Sequence, residues 1–193
     1  SPRKDNHLSR VVRIVPNESP VGTTSEDEGD LSSPPAPSSS SSSSKFASVD
    51  ENSNVSIWIA VQVPSSGDTD PGLSPRGSVK LVRSAWFCPF ETGPDADLSL
   101  TARTSDICFN PADPNQYFLA ADTGQILRGA RFGGETLFPR YYGRFGPPVT
   151  SLGVSLLAQG CLLSGYRDGT VRLFTMDSET PAAEWCGFID IQH

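Results

Sequence analysis

Residues able to do chemistry are few in this sequence and stand far apart. The two histidines, His7 and His193, lie at opposite ends of the 193 residues. A Ser–His–Asp arrangement would need one of them folded into a site, against the usual looseness of chain ends. The four cysteines, Cys88, Cys108, Cys161 and Cys186, include no CxxC pair. A chain of this length needs no disulfide framework, so free thiols in a reducing compartment are expected. Cys108 and Cys161 fall in apolar stretches, where each reads as a small buried hydrophobe rather than a metal ligand. There is no HExxH, no P-loop and no Rossmann glycine pattern after a strand, and Gly133-Gly134 reads as a turn. The expectation is a chain that is not an enzyme, with no catalytic residue, no metal and no cofactor.

Other groups could serve modification or recognition. Asn17 and Asn54 each begin an Asn-x-Ser triplet, but Pro20 follows the first, the second falls in a strand hairpin, and no secretory signal accompanies them, so chance accounts for both. Ser19, Ser33 and Ser74 precede prolines, and Ser25 precedes "EDEGD". All four sit in polar segments open to a kinase and are expected phosphorylation sites, weighed against the frequency of Ser-Pro in any Ser/Pro-rich tract. Arg140, Tyr141, Tyr142 and Arg144 read as an exposed aromatic-basic cluster, composed of residue types enriched in binding hot spots. Its rival reading is a solvated outer strand.

Composition narrows the partners. The net charge is −7, with 22 acidic against 15 basic residues. An acidic chain without a basic stripe is a poor phosphate-backbone binder, so no nucleic acid is expected. The longest apolar region, "VTSLGVSLLAQGCLLSGY", is interrupted by Thr150, Ser151, Ser155, Gln159 and Ser164. It reads as two strands and a turn, with no membrane insertion. The first residue is not Met, which reads as a fragment or a processed chain.

The elements that must position these residues are short and β-like. "LSRVVRIVP", "FASVDENSNVSIWIAVQV", "SVKLVRSAWF", "TSDICFNP", "YFLAADTGQILRGARF" and "PVTSLGVSL" are β-branched or apolar runs bounded by Gly, Pro, Asn or Asp. No segment holds a helical apolar stripe over three turns. Between them lie two segments poor in large apolar residues. Glu18 to Ser44 and Pro64 to Gly77 cannot repay the entropy of ordering and are expected to be disordered loops.

Self-comparison shows a repeat. Ile107 and Leu152, Phe109 and Val154, Gly124 and Gly169, and Ile126 and Val171 are each 45 positions apart. Each copy gives a strand, a loop, a second strand, a polar-Gly turn and a third strand. A third copy upstream places Asn52-Ser53 at the turn where the others have Thr123-Gly124 and Asp168-Gly169. Its first-strand anchor, Val12, lies 43 residues before Val55, where the later copies have 19, and the Ser-rich segment supplies the excess. Such insertions fall between strands, where added length costs little. A period near 45 with about four strands per unit is the period of a propeller blade.

"SGYRDGTVRLF" resembles the second hairpin of a WD repeat. Asp168 stands at the turn aspartate, and Trp58 and Phe174 at the aromatic near the strand end. Neither aromatic is followed by Asp, and the Gly-His that usually opens a repeat is at best Gly143-Arg144, so these motifs do not by themselves supply the family's His–Asp hydrogen-bond network. The worn repeats are similar to those of dynein intermediate chains. Phe109-Asn110-Pro111, the stretch Tyr117 to Ile126, Gly146-Pro147-Pro148-Val149 and the stretch Asp168 to Leu173 follow that family's blade pattern. The resemblance runs over roughly residues 46–185.

It implies an all-β fold: a partial WD-type β-propeller of about three four-stranded blades with disordered loop insertions. Residues 1–17 give the first strand of blade one, 18–45 the acidic Ser/Pro-rich insertion, and 46–100 the rest of blade one. Residues 101–143 give blade two, and 144–193 blade three and the chain end. Closed propellers need roughly four to eight blades, so further blades or a partner would complete the ring. The implied function is a non-catalytic scaffold whose propeller docks on a motor heavy chain. Its partners would be proteins, dynein heavy and light chains among them, with no small-molecule substrate. Its location would be cytoplasmic and cytoskeleton-associated, in the ciliary transport form of the motor. The alternatives are a generic WD adaptor in a ubiquitin-ligase or trafficking complex and, further off, a propeller-fold hydrolase.

Overall fold

The computed structural model describes residues 7–17, 44–63, 78–89, 102–132, 139–155 and 160–187. Ser19, Ser25, Ser33 and Ser74 lie outside the described residues, as do His193 and residues 18–43 and 64–77, on which the expectation of disordered loops falls. Among the described residues there are twelve strands and no helix.

The strands form three sheets of four, each antiparallel and ordered as in the sequence. Blade one holds β1 (Val11–Pro16), β2 (Ser44–Asp50), β3 (Val55–Val63) and β4 (Ser78–Phe87). Blade two holds β5 (Thr104–Asn110), β6 (Asp113–Ala121), β7 (Ile126–Ala130) and β8 (Tyr141–Tyr142). Blade three holds β9 (Val149–Ser155), β10 (Cys161–Tyr166), β11 (Thr170–Thr175) and β12 (Ala183–Cys186). Strand β2 begins at Ser44, inside the stretch expected to be loop, because Ser44 and Lys45 already pair with Ala60 and Ile59.

Each blade stacks on the next through apolar faces. The "YFLAA" run of β6 shows why a continuous apolar stretch forms a strand here: successive side chains point to opposite faces, and both faces are covered. Tyr117 and Leu119 join Ala47, Val49, Val55, Ile57, Ile107 and Leu127 in the core between blades one and two. Phe118 and Ala120 join Ile126, Tyr142, Val149, Leu162, Tyr166 and Phe174 in the core between blades two and three. Complete burial of a side chain such as Phe118 or Leu162 contributes about 2 kcal/mol, so these two cores dominate the stability.

A polar brace adds direction to the stacking. Asp106 on β5 is buried. Its carboxylate accepts from the Leu152 N–H of blade three at 2.8 Å and lies 3.2 Å from the Arg13 guanidinium of blade one. Next to it, the Ser105 hydroxyl donates to the Val149 carbonyl. The first strands of all three blades are thereby tied side by side.

Candidate interaction surfaces

The three hairpin turns share one geometry. Ser53 donates its N–H to the Asp50 carbonyl at 2.9 Å, Gly124 to Ala121 at 3.2 Å and Gly169 to Tyr166 at 3.1 Å. The donors have positive φ, 68° at Ser53, 90° at Gly124 and 85° at Gly169. Asn52, Thr123 and Asp168 precede them at equivalent places. Gly124 has a second reason to be glycine. A Cβ there would meet the Gly146 and Pro147 backbone at 2.8–2.9 Å, whereas at Gly169 nothing lies within 4 Å.

Asp168 lies in its turn, but the buried turn carboxylate of the described blades is a different residue. The buried carboxylate belongs to Asp50, at the first corner, and the equivalent residue of blade three is Tyr166. Asp168 is exposed and accepts the Thr170 N–H at 3.0 Å. That hydrogen bond, with the Thr170 hydroxyl, holds its carboxyl below the usual carboxylate range.

Asp50 anchors a network that the sequence did not suggest. Its Oδ1 accepts the N–H groups of Asn52 and Asn54 at 3.0 and 2.9 Å, and its Oδ2 lies 3.0 Å from His7 Nδ1. His7 Nε2 lies 2.6 Å from Ser48 Oγ, which also accepts from Trp58 Nε1 at 2.7 Å. Burial alone would raise the Asp50 carboxyl, but the hydrogen bonds from Asn54 and His7 outweigh it and hold the group below its usual value.

The expectation that His7 stays outside any site is thus corrected, and the His–Asp contact that the motifs left open is present in blade one. The order Asp50–His7–Ser48 has the connectivity of a hydrolase triad, but its surroundings serve the fold. The Ser48 oxygen is already engaged by Trp58, and the Asp50 and Ser48 side chains are buried against the sheet. The absent Gly-His and Trp-Asp motifs could not reveal this. The signal was the Ser48-x-Asp50 spacing ahead of Trp58, with the histidine displaced upstream by the insertion.

The expected cluster of Arg140, Tyr141, Tyr142 and Arg144 is not one surface. Tyr142 is fully buried, and its ring sits 6.0 Å from Phe118 and 5.8 Å, edge-on, from Phe174. Its hydroxyl donates to the Met176 carbonyl at 3.0 Å. Strand alternation sends Tyr141 to the opposite face, against the first core, with the Arg140 guanidinium 5.9 Å from its ring. Arg144 is exposed on a shallow cleft of about 280 Å³ with Phe145, Arg172 and Glu184. Tyr142 faces blade three from the outer strand of blade two, which is why it is core and not contact surface.

The four cysteines are free thiols. Burial, helped by the Asp106 charge, pushes the Cys108 thiol up to about 12. Among the described residues no group of three or more His, Cys, Asp or Glu is placed to hold a metal ion.

Apolar surface is exposed at both ends of the array. On blade three, Leu163 and Trp185 are about half exposed and share a face with Val171 and Leu173. On blade one, the ten-residue β4 exposes Val79, Leu81 and Trp86, whereas the outer strands β8 and β12 span only 2 and 4 residues.

Three tandem four-stranded antiparallel sheets, stacked face to face and joined through their first strands, make this a partial WD-type β-propeller. In sequence the chain is dynein intermediate chain-like. It is 29% identical over 150 residues to cytoplasmic dynein 2 intermediate chain 1 of Homo sapiens, a match covering 72% of this chain and 14% of that protein. The Mus musculus protein of the same name is 29% identical over 153 residues, with 72% and 15% covered. The chain therefore spans about one seventh of the curated relatives it matches. No protein-family model matches it. Among solved structures, the β-propeller domain of Cps50 (Swd1) from Myceliophteria thermophila has a TM-score of 0.47 at 10% identity, covering 76% of this chain and 43% of that one. A chain of an active polycomb repressive complex 2 in the basal state has a TM-score of 0.48 at 14% identity, covering 91% and 29%.

Proposed function

We propose that this chain is the propeller segment of a non-catalytic, dynein intermediate chain-like scaffold that docks on a motor heavy chain. The observation that carries the reading is the 29% identity to cytoplasmic dynein 2 intermediate chain 1 across 72% of this chain. Two features of the fold agree with it. The one described histidine and its acid are spent on bracing blade one. Apolar residues such as Trp86 and Trp185 lie exposed on the outermost faces, where large aromatic anchors serve protein contacts. In this reading the partners are dynein heavy and light chains, and the location is the cytoskeleton of the cilium.

Affinity purification of the tagged chain from ciliated cells tests the reading. Recovery of dynein heavy and light chains supports it. Recovery of ubiquitin-ligase or trafficking subunits in their place refutes it in favour of a general WD adaptor.

A further inference from the structure

We propose that the cleft where the three blades' first strands begin is an anion-accepting site for an acidic segment of a partner protein. This inference rests on the protein-binding reading above but names a surface and a chemistry that the reading leaves open. The repeat itself supplies the argument. In each blade the residue at the hairpin turn donates its N–H to the residue just before the first strand. Glu51 donates to Arg10 at 3.0 Å, Asp122 to Arg103 at 2.9 Å and Arg167 to Pro148 at 2.9 Å. These equivalent positions line one open cleft of about 620 Å³.

The charges at these positions follow the repeat twice and then break it. Blade one pairs Arg10 with Glu51, and blade two pairs Arg103 with Asp122. Blade three has Pro148 where an arginine stood and Arg167 where an acid stood. Both acids are engaged. Glu51 lies 3.6 Å from Arg10 and 3.9 Å from Arg103, and the Asp122 carboxylate accepts the Arg103 N–H at 2.9 Å. Arg167 is exposed and meets no carboxylate among the described residues. The Arg10 and Arg103 side chains, 77% and 71% exposed, can still turn toward a second acceptor. The cleft thus carries three guanidiniums against two carboxylates, on a chain whose net charge of −7 is of the opposite sign. Guanidinium recognises carboxylate and phosphate oxygens through paired hydrogen bonds. An open cleft spanning three blades suits an extended acidic peptide better than a single small ion.

The test uses the full chain and three fluorescein-labelled peptides: one with a central Asp-Glu-Asp, its Asn-Gln-Asn counterpart, and one with a central phosphoserine. Fluorescence anisotropy at low ionic strength should show the Asp-Glu-Asp peptide bound, with affinity falling as salt rises. The Asn-Gln-Asn peptide should bind roughly tenfold more weakly or worse. Arg167→Glu should weaken the acidic peptide by a similar factor with an unchanged thermal midpoint, and Lys80→Glu, on the exposed β4, should leave it unaltered. Equal binding of acidic and neutral peptides, equal loss in the two variants, or binding of the phosphoserine peptide alone would each overturn the proposal. Heavy-chain recovery with no acidic-peptide binding rejects this site and leaves the scaffold reading standing.

Discussion

His7 Nδ1 lies 3.0 Å from the Asp50 carboxylate, a contact between residues 43 positions apart. It closes the long insertion of blade one and fixes the segment before β1 against the β2–β3 turn.

Asp50→Ala should cost about 3 kcal/mol, because the Asn54 N–H and the His7 ring would lose a buried charged acceptor. The pH dependence has a defined sign. The folded carboxyl sits below its unfolded value, so its contribution is fully present above about pH 4 and is lost as pH falls through the folded value. Urea unfolding at pH 7 and below pH 4 should show a smaller acid loss in Asp50→Asn than in the parent chain. Parallel losses would mean that Asp50 does not couple to folding.

The two turn glycines should separate. At Gly169 an alanine meets only the cost of positive φ, about 1–2 kcal/mol. At Gly124 the added Cβ also collides with the Gly146 and Pro147 backbone, which adds about 1–3 kcal/mol. Thermal midpoints of the two alanine variants read the difference directly, and Asp168→Ala, at an exposed side chain, should lower the midpoint least of the three.

Tyr117 and Gly129 face each other across β6 and β7, and a Cβ on Gly129 would stand 2.3 Å from the tyrosine ring. Gly129→Ala should therefore cost about 1–3 kcal/mol through overpacking. Pairing it with Tyr117→Leu should recover part of that loss. A double-mutant cycle with no coupling would show that the ring does not rest on the glycine.

Tyr142 distinguishes core from surface. Tyr142→Phe should lose about 1 kcal/mol with its hydrogen bond to Met176, and Tyr142→Ala about 3–5 kcal/mol with the ring. Chemical denaturation checks both. A stable alanine variant would return Tyr142 to the surface cluster expected from its neighbours.

Strand order and blade period were legible in the sequence because the 45-residue spacing of Ile107 with Leu152 and of Ile126 with Val171 records equivalent strand positions in successive blades. The positive-φ glycines at the turns were legible for a similar reason, since a polar-Gly pair between two apolar runs has one common geometry. The His7 network was not, because the insertion after β1 separates its partners and hides the histidine among polar residues. Tyr142 misled because local composition cannot tell which side chain of a blade's outer strand faces the neighbouring blade. Arg167 passed unnoticed because its meaning lies in a comparison of charges across three turns.

Direct binding of the purified chain to a purified dynein heavy chain tests the central claim most closely. The account predicts a complex that survives gel filtration with the parent chain and is lost when Gly124→Val disrupts the seam between blades two and three. Absence of a complex with the folded parent chain, shown folded by its cooperative unfolding, would contradict the scaffold assignment.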